Sequence, residues 1–415
     1  MGFPIETIRT AFPSLAIADD GTPRRYLDNP AGTQVPQRVA DAAARCLIES
    51  NANLGGFFRT SIAAEAVTER ARDAMRDMLG AASTREIVVG PSMTSLTFRI
   101  ARALARDFLP GEEIVVTRMD HDANVAPWLT LAEERRLTVR WLPFDERTWR
   151  IEPAALDAVL TDRTRLVALN YASNLTGSIN DVATLAARAK AAGALTYVDA
   201  VQFAPHGFVD VTALGCDFLA CSSYKFFGPH LGIVWGREEL LEELRAYKVR
   251  PSTNDLPWRF ELGTPQIELF AALEASVEHL AWIGELLGEG GSRRERIRRG
   301  FAGSIAHEAT LALELIDGLR AIPGVRIVGI DDPGRVAHRV PTVSFVHDTI
   351  APDTIAEALA RENIFVWSGH NYALEIVRQL GIPEERGVVR IGAAHYNTHD
   401  EIAATLAALR RILAE

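Results

Sequence analysis

Apolar residues recur along this chain in two different rhythms. Between about residues 86 and 236, short runs rich in Val, Ile and Leu punctuate more polar sequence. They are "EIVV" (86–89), "EIVVT" (113–117), "LTVRWL" (137–142), "RLVALNY" (165–171), "LTYVDA" (195–200), "DFLACS" (217–222) and "GIVWG" (232–236). Each reads as a strand, and amphipathic stretches such as "DVATLAARAKAAG" (181–193) lie between several of them. Near-continuous apolar runs mark strands buried on both faces, so the alternation predicts an α/β fold with a mostly parallel, seven-stranded sheet covered by helices. Ligands then belong in the loops beyond the carboxyl ends of the strands.

After residue 265 the rhythm changes. Helices over about 266–287 and 303–321 precede short strands at 325–330, 342–347, 364–367 and 388–392, and further helices are expected over 352–362 and 398–414. This pattern predicts a smaller α+β lobe. "GEGGSRRERIRRG" (288–300) reads as a solvated linker and helix start. A chain of 415 residues is long for one core. The expected division is a large domain over 25–265 and a small domain from 1–24 and 266–415.

Composition narrows the function classes. A formal charge of −10 leaves no basic face for nucleic acid or an anionic membrane. The first residues, "MGFPIETIRTAFPSLAIADDG", carry acids and no long apolar run, so neither a signal peptide nor a membrane span is expected. Cys46, Cys216 and Cys221 have no metal-type spacing, and a reduced cytoplasmic protein without metal fits best.

The candidate chemistry lies in "LTYVDAVQFAPHGFVDVTALGCDFLACSSYKFFGPHLGIVWG" (195–236). Asp199 ends one apparent strand, and Lys225 follows another. A lysine in apolar surroundings loses its proton readily, which Schiff-base chemistry needs. An aspartate at a neighbouring strand end can pair with a pyridinium nitrogen. In isolation a surface lysine and a helix-capping aspartate would read the same; further matches elsewhere decide between the two.

From "YLDNPAGTQVPQ" (26–37) to "RIGAAHYNTHDEI" (390–402) the chain resembles class V aminotransferase-fold enzymes, within them the cysteine desulfurase and selenocysteine lyase branch. The resemblance implies a fold-type I enzyme that binds pyridoxal 5′-phosphate. Lys225 would carry the Schiff base, Asp199 would face the ring nitrogen, Gln202 the phenolic oxygen, and Ser222 the phosphate. Tyr224 stands where desulfurases have a histidine. "MDHDANVAPW" (119–128) places His121 as the ring-stacking, acid–base histidine, and "NYASNLTGSIND" (170–181) places Asn174 near cofactor and substrate carboxylate. "VVGPSMTSL" (88–96) offers Ser92, Met93 and Thr94 to the phosphate at a helix N-terminus. "FELGTPQ" (260–266) makes Thr264 a contact to the other subunit's cofactor, hence a homodimer. Arg390 in "VVRIG" would clamp the substrate carboxylate, which suits a bidentate guanidinium.

"WSGHNY" (367–372) aligns with the desulfurase motif R-T-G-H-H-C, so Tyr372 occupies the nucleophile position, preceded by His370 as a substrate-binding candidate. A phenol does not take up sulfane sulfur as a thiolate does, and the three cysteines suit buried apolar roles. Trp367 replaces an arginine, and with Tyr372, Phe57 and Phe58 it would make the site more aromatic. The expected activity is a lyase on a small amino acid through an external Schiff base, by β-elimination or C–S cleavage without a protein persulfide, with Tyr372 or His370 as general acid. Alternatives are an aminotransferase, an epimerase, and a catalytically silent scaffold.

Overall fold

In the computed structural model, which describes residues 2–414, the apolar runs of the first half lie side by side. They form β1 (Ile87–Gly90), β2 (Glu113–Thr117), β3 (Thr138–Leu142), β4 (Thr164–Asn170), β5 (Leu195–Asp199), β6 (Phe218–Ser222) and β7 (Gly232–Gly236). The order across this seven-stranded sheet is β1-β7-β6-β5-β4-β2-β3. β7 is antiparallel to both neighbours, and every other pairing is parallel. Two antiparallel steps restore the direction, so β1 runs with β6 and its carboxyl end meets the same edge. The mostly parallel sheet read from the sequence is therefore present.

The covering helices include α1 (Gln37–Glu49), α2 (Arg59–Leu79), α3 (Met93–Leu104), α4 (Ala126–Arg135), α5 (Val182–Ala191) and α6 (Ile267–Leu287). Strand side chains alternate between faces, and the two faces serve two cores. Val115, Leu169, Val198 and Ile233 join Met75, Leu185 and Phe270 on one side, together with Ile8 and Phe12 of the N-terminal segment. Ile114, Val116, Ala168 and Phe218 join Ile100 and Trp128 of α3 and α4 on the other. Burial on both faces explains why these strands read as unbroken apolar runs.

The second lobe holds a four-stranded antiparallel sheet of β8 (Val325–Val328), β9 (Thr342–His347), β10 (Trp367–Gly369) and β11 (Val388–Gly392), ordered β8-β9-β11-β10. Helices α7 (Arg293–Arg320), α8 (Pro352–Ala360) and α9 (His399–Ile412) pack on it through Leu315, Ile355 and Leu406, against Phe345, Val389 and Ile391.

Two expectations change here. The run at 364–367 is not one strand: Ile364–Phe365 pairs in parallel with Arg25–Tyr26, and the chain then turns so that Trp367–Gly369 pairs with β11. The helix expected over 303–321 begins earlier, at Arg293, so 288–300 is the linker and helix start that the sequence suggests, with the linker ending at Ser292. Ser292 and Glu295 form a capping box, and the arginines are the first turns of the 28-residue α7. Arg293 pairs with Asp77 at 3.0 Å and Glu278 at 2.6 Å, and Arg294 pairs with Asp210 at 2.9 Å, which fastens α7 to the sheet's helical cover.

Candidate active site

Loops leaving the carboxyl ends of β1, β2, β4, β5 and β6 converge with the edge of the second sheet. Ten of the expected residues line one cavity of about 540 Å³ there: Ser92, Met93, Thr94, His121, Asn174, Asp199, Gln202, Ser222, Tyr224 and Lys225. Arg390, His370 and Tyr372 line an outer cavity of about 1290 Å³, which shares His121, Asn174, Tyr224 and Lys225 with the inner one. Thr264 is exposed and lines neither, and the same holds for Phe57 and Phe58. Trp367 does line the outer cavity.

Lys225 is buried, and its Nζ donates to the Pro30 carbonyl. Burial, reinforced by the Arg390 charge, lowers its ammonium pKa to about 7, against the opposing pull of Asp28 and Asp199. Burial raises the Asp199 carboxyl to about 6, although its Oδ1 accepts the Val201 N–H at 2.8 Å. His121 Nδ1 accepts the Ala123 N–H at 3.0 Å, which leaves the ring proton on Nε2. Burial and the charges of Lys225 and Arg390 lower His121 to about 3, so the ring is neutral at physiological pH. It suits stacking better than service as a strong acid.

Ser92 caps α3 by accepting the Ser95 N–H at 3.1 Å, and Met93 and Thr94 begin the helix beside the cavity. β7 crosses just behind this turn. A Cβ on Gly232 would lie 2.1 Å from the Met93 nitrogen, so only glycine permits the approach. Tyr224 stacks on His230, with centroids 5.0 Å apart and planes 14° apart.

Arg390 is held by two partners. Its Nη2 lies 3.3 Å from Asp28 Oδ1, and its Nη1 donates to the Asn174 carbonyl at 3.2 Å. Its Nε, Asn174 Oδ1, Gln202 Oε1 and Asn371 Oδ1 are buried without partners. Leaving such groups unpaired costs roughly 1–3 kcal/mol each, so their convergence on one pair of cavities marks a place for a polar ligand.

Residues 367–372 close the outer side. The Tyr372 carbonyl accepts the Asp122 N–H at 2.7 Å, and Asn174 Nδ2 donates to the Asn371 carbonyl at 2.8 Å. Tyr372 stacks on His121 at 5.4 Å, and both Asn371 and Tyr372 are left-handed, at φ 52° and 57°. All three cysteines are buried, and none lines either cavity. Burial pushes the Cys216 thiol up to about 12 and the Cys221 thiol higher still.

Sequence reasoning assigned no role to Asp28 or Asp120. Asp28 sits inside "YLDNPAGTQVPQ", and only the fold shows it against Arg390. Asp120 precedes His121; burial raises its carboxyl to about 8, and it accepts from Asn124 Nδ2 at 2.6 Å and from the Thr117 hydroxyl. That network fixes the turn that presents His121.

The residues fit pyridoxal 5′-phosphate. A buried lysine is available as a neutral amine, a carboxylate ends β5, and the N-terminus of α3 supplies N–H groups suited to phosphate. Gln202 Nε2 contacts Thr342 Oγ1 at 3.1 Å. Turning its amide keeps that contact, with the hydroxyl donating, and aims an N–H into the cavity.

Residues 25–405 match the family model of aminotransferase class-V. The chain is 32% identical to a cysteine desulfurase of Pectobacterium carotovorum subsp. carotovorum, covering 99% of this chain and 98% of the relative. It is also 32% identical to the aminotransferase-like protein FGM3 of Gibberella zeae, over 99% of each chain. The apo structure of a cysteine desulfurase from Thermococcus onnurineus superposes with a TM-score of 0.86 at 27% identity, covering 100% of this chain and 99% of the other.

Proposed function

The chain belongs to the class-V aminotransferase family as a pyridoxal 5′-phosphate enzyme of the cysteine desulfurase-like branch, and on that premise we propose that it is a lyase cleaving a Cβ–sulfur bond without passing sulfur to a protein thiol. One observation carries the reading. The cavity that suits the cofactor brings together Lys225, Asp199 and the N-terminus of α3, yet no cysteine reaches either cavity, and Tyr372 lines the outer one where the motif resemblance puts the nucleophile.

The cofactor supplies an electron sink in conjugation with the substrate Cα. The chain's own residues do the rest. Arg390, preset by Asp28 and the Asn174 carbonyl, binds the carboxylate. Asp199 offers an anion at the end of β5, and neutral His121 provides a flat wall. Lys225 Nζ, close to half neutral near pH 7, takes the proton from Cα. The Tyr372 hydroxyl, with His370 beside it in the outer cavity, gives a proton to the departing sulfur. Overall, RS–CH2–CH(NH3+)–COO− and water yield RSH, pyruvate and ammonium.

The same reading takes the protein as a cytoplasmic homodimer in which Thr264 reaches the partner's cofactor. Supporting it are exposed Leu262, two residues from Thr264, and exposed Phe57, Phe58 and Ile62 in sequence before and within α2, which leave apolar surface uncovered. Measured molar mass in solution tests it, and a monomeric holoenzyme would refute it. An aminotransferase is the second reading, favoured by the name of the Gibberella zeae relative.

Assaying purified holoenzyme with S-alkyl-L-cysteines separates these readings. Equimolar thiol and pyruvate support the lyase. A keto acid that retains its sulfur, with amine left on the cofactor, means transamination. Unaltered amino acid of inverted configuration means epimerisation.

A further inference from the structure

We propose that the substrate carries a positive charge at the far end of its side chain, received in the outer cavity between Trp367 and Glu385. The inference rests on the amino-acid reading above and adds the substrate's chemical class. The outer cavity is a cleft open to solvent, lined from Lys225 and Arg390 out to Trp367 and Glu385, with room beyond a cysteine side chain. Its two cationic lining groups, Lys225 and Arg390, are both buried at its inner end. The exposed rim is acidic, formed by Asp353, Glu384 and Glu385.

Those carboxylates are not equivalent. Glu384 is matched by Arg378 at 2.6 Å. Asp353 accepts the neutral Ser368 hydroxyl at 2.6 Å and forms no ion pair among the described residues. Glu385 has no cationic partner among the described residues. The rim thus presents Glu385 without a cationic partner, beside Asp353 in the first turn of α8, where the helix N-terminus partly offsets its charge.

Aromatic surface lies between the two ends. Trp367 is directly opposite Arg390 in the β10–β11 register, so the two side chains leave the same face of the sheet. Trp367 is 54% exposed and Tyr372 68%, and both line this cavity. Aromatic faces of this kind attract cations. An independent sign is Asn371: it is 8% exposed, lines the same cavity, and holds Oδ1 without a donor. An ammonium or guanidinium brings donors for that acceptor and charge for the rim. A neutral apolar side chain leaves Asn371 unpaired, and an acidic one faces Glu385 and Asp353.

The test uses holoenzyme and thioethers of similar length but different charge: S-(2-aminoethyl)-, S-propyl- and S-carboxymethyl-L-cysteine. Their dissociation constants are read from the shift of the cofactor absorption band on rapid mixing, before turnover. The aminoethyl compound should bind about tenfold more tightly than the propyl one, and the carboxymethyl compound most weakly. Glu385→Gln should cut the tenfold preference to about threefold or less with propyl binding changed by less than about twofold, and Trp367→Ala should weaken aminoethyl binding more than propyl binding, cutting the preference to a similar level. Equal or tighter binding of the propyl compound, or a preference unchanged in both variants, overturns the inference while leaving the amino-acid reading intact. A cofactor band that responds to no amino acid overturns both.

Discussion

The inner and outer cavities share four residues, yet they are specified in different ways. The inner one is set by strand ends in a buried parallel sheet. Asp199 closes β5, Ser222 closes β6, and Gly232 lets β7 pass the Ser92–Met93 turn. Moving any of these residues means moving a strand that packs on both faces. The outer cavity is set by a short edge strand and a turn with two left-handed residues, tethered at Asp122 and Asn174. Its side chains can change without disturbing a core. On the proposed reading, "WSGHNY" stands there in place of the desulfurase pattern R-T-G-H-H-C. The proposed function thus places the cofactor chemistry on the rigid inner frame, and the fate of the sulfur and the choice of substrate at the replaceable rim.

The largest effect that would break this division is at Lys225. Lys225→Ala should lower turnover about 10³-fold and abolish the lysine-linked absorption band, while retaining fold by circular dichroism. A turnover loss below tenfold would remove Lys225 from proton transfer. Next comes Arg390→Ala. Loss of a charge-assisted clamp should raise KM about 100-fold with a smaller change in kcat, and a change in kcat alone would contradict the clamp. Tyr372→Phe should slow C–S cleavage about 30-fold with cofactor affinity unchanged. Unchanged turnover would leave the leaving-group proton to His370.

A pH dependence sharpens the inner site further. Burial depresses the Lys225 pKa to about 7, and on the proposed reading its neutral amine is the group that takes up the cofactor aldehyde in the apoprotein. The capture rate should therefore climb about tenfold between pH 6 and 8 and level off above that. Asp199, at about 6, becomes an anion over the lower part of this range. A rate still rising steeply at pH 9 would mean that the lysine is not in the environment described.

Much of the fold was legible because burial on two faces writes itself as unbroken apolar runs; β2, β7, β9 and β11 begin and end where the sequence places them. The inner-site residues were legible for the same reason, since they follow those runs directly. Asp28 was not, because its meeting with Arg390 spans 362 residues and no local pattern encodes it. The early start of α7 was masked by three glycines near an arginine run, although Ser292 and Glu295 already spelled its capping box. The break at Val366 escaped notice because "IFVW" reads as one apolar strand, whereas its two halves pair with different partners.

The central claim is that this site releases sulfur without a protein persulfide, and the amino product made from L-cysteine tests it most directly. Holoenzyme incubated with L-cysteine, or with the S-(2-aminoethyl) compound, should yield pyruvate and ammonium in step with free sulfide or thiol, with no persulfide on the intact protein by mass spectrometry. Alanine in place of pyruvate, with a sulfur atom added to the chain, would contradict the account.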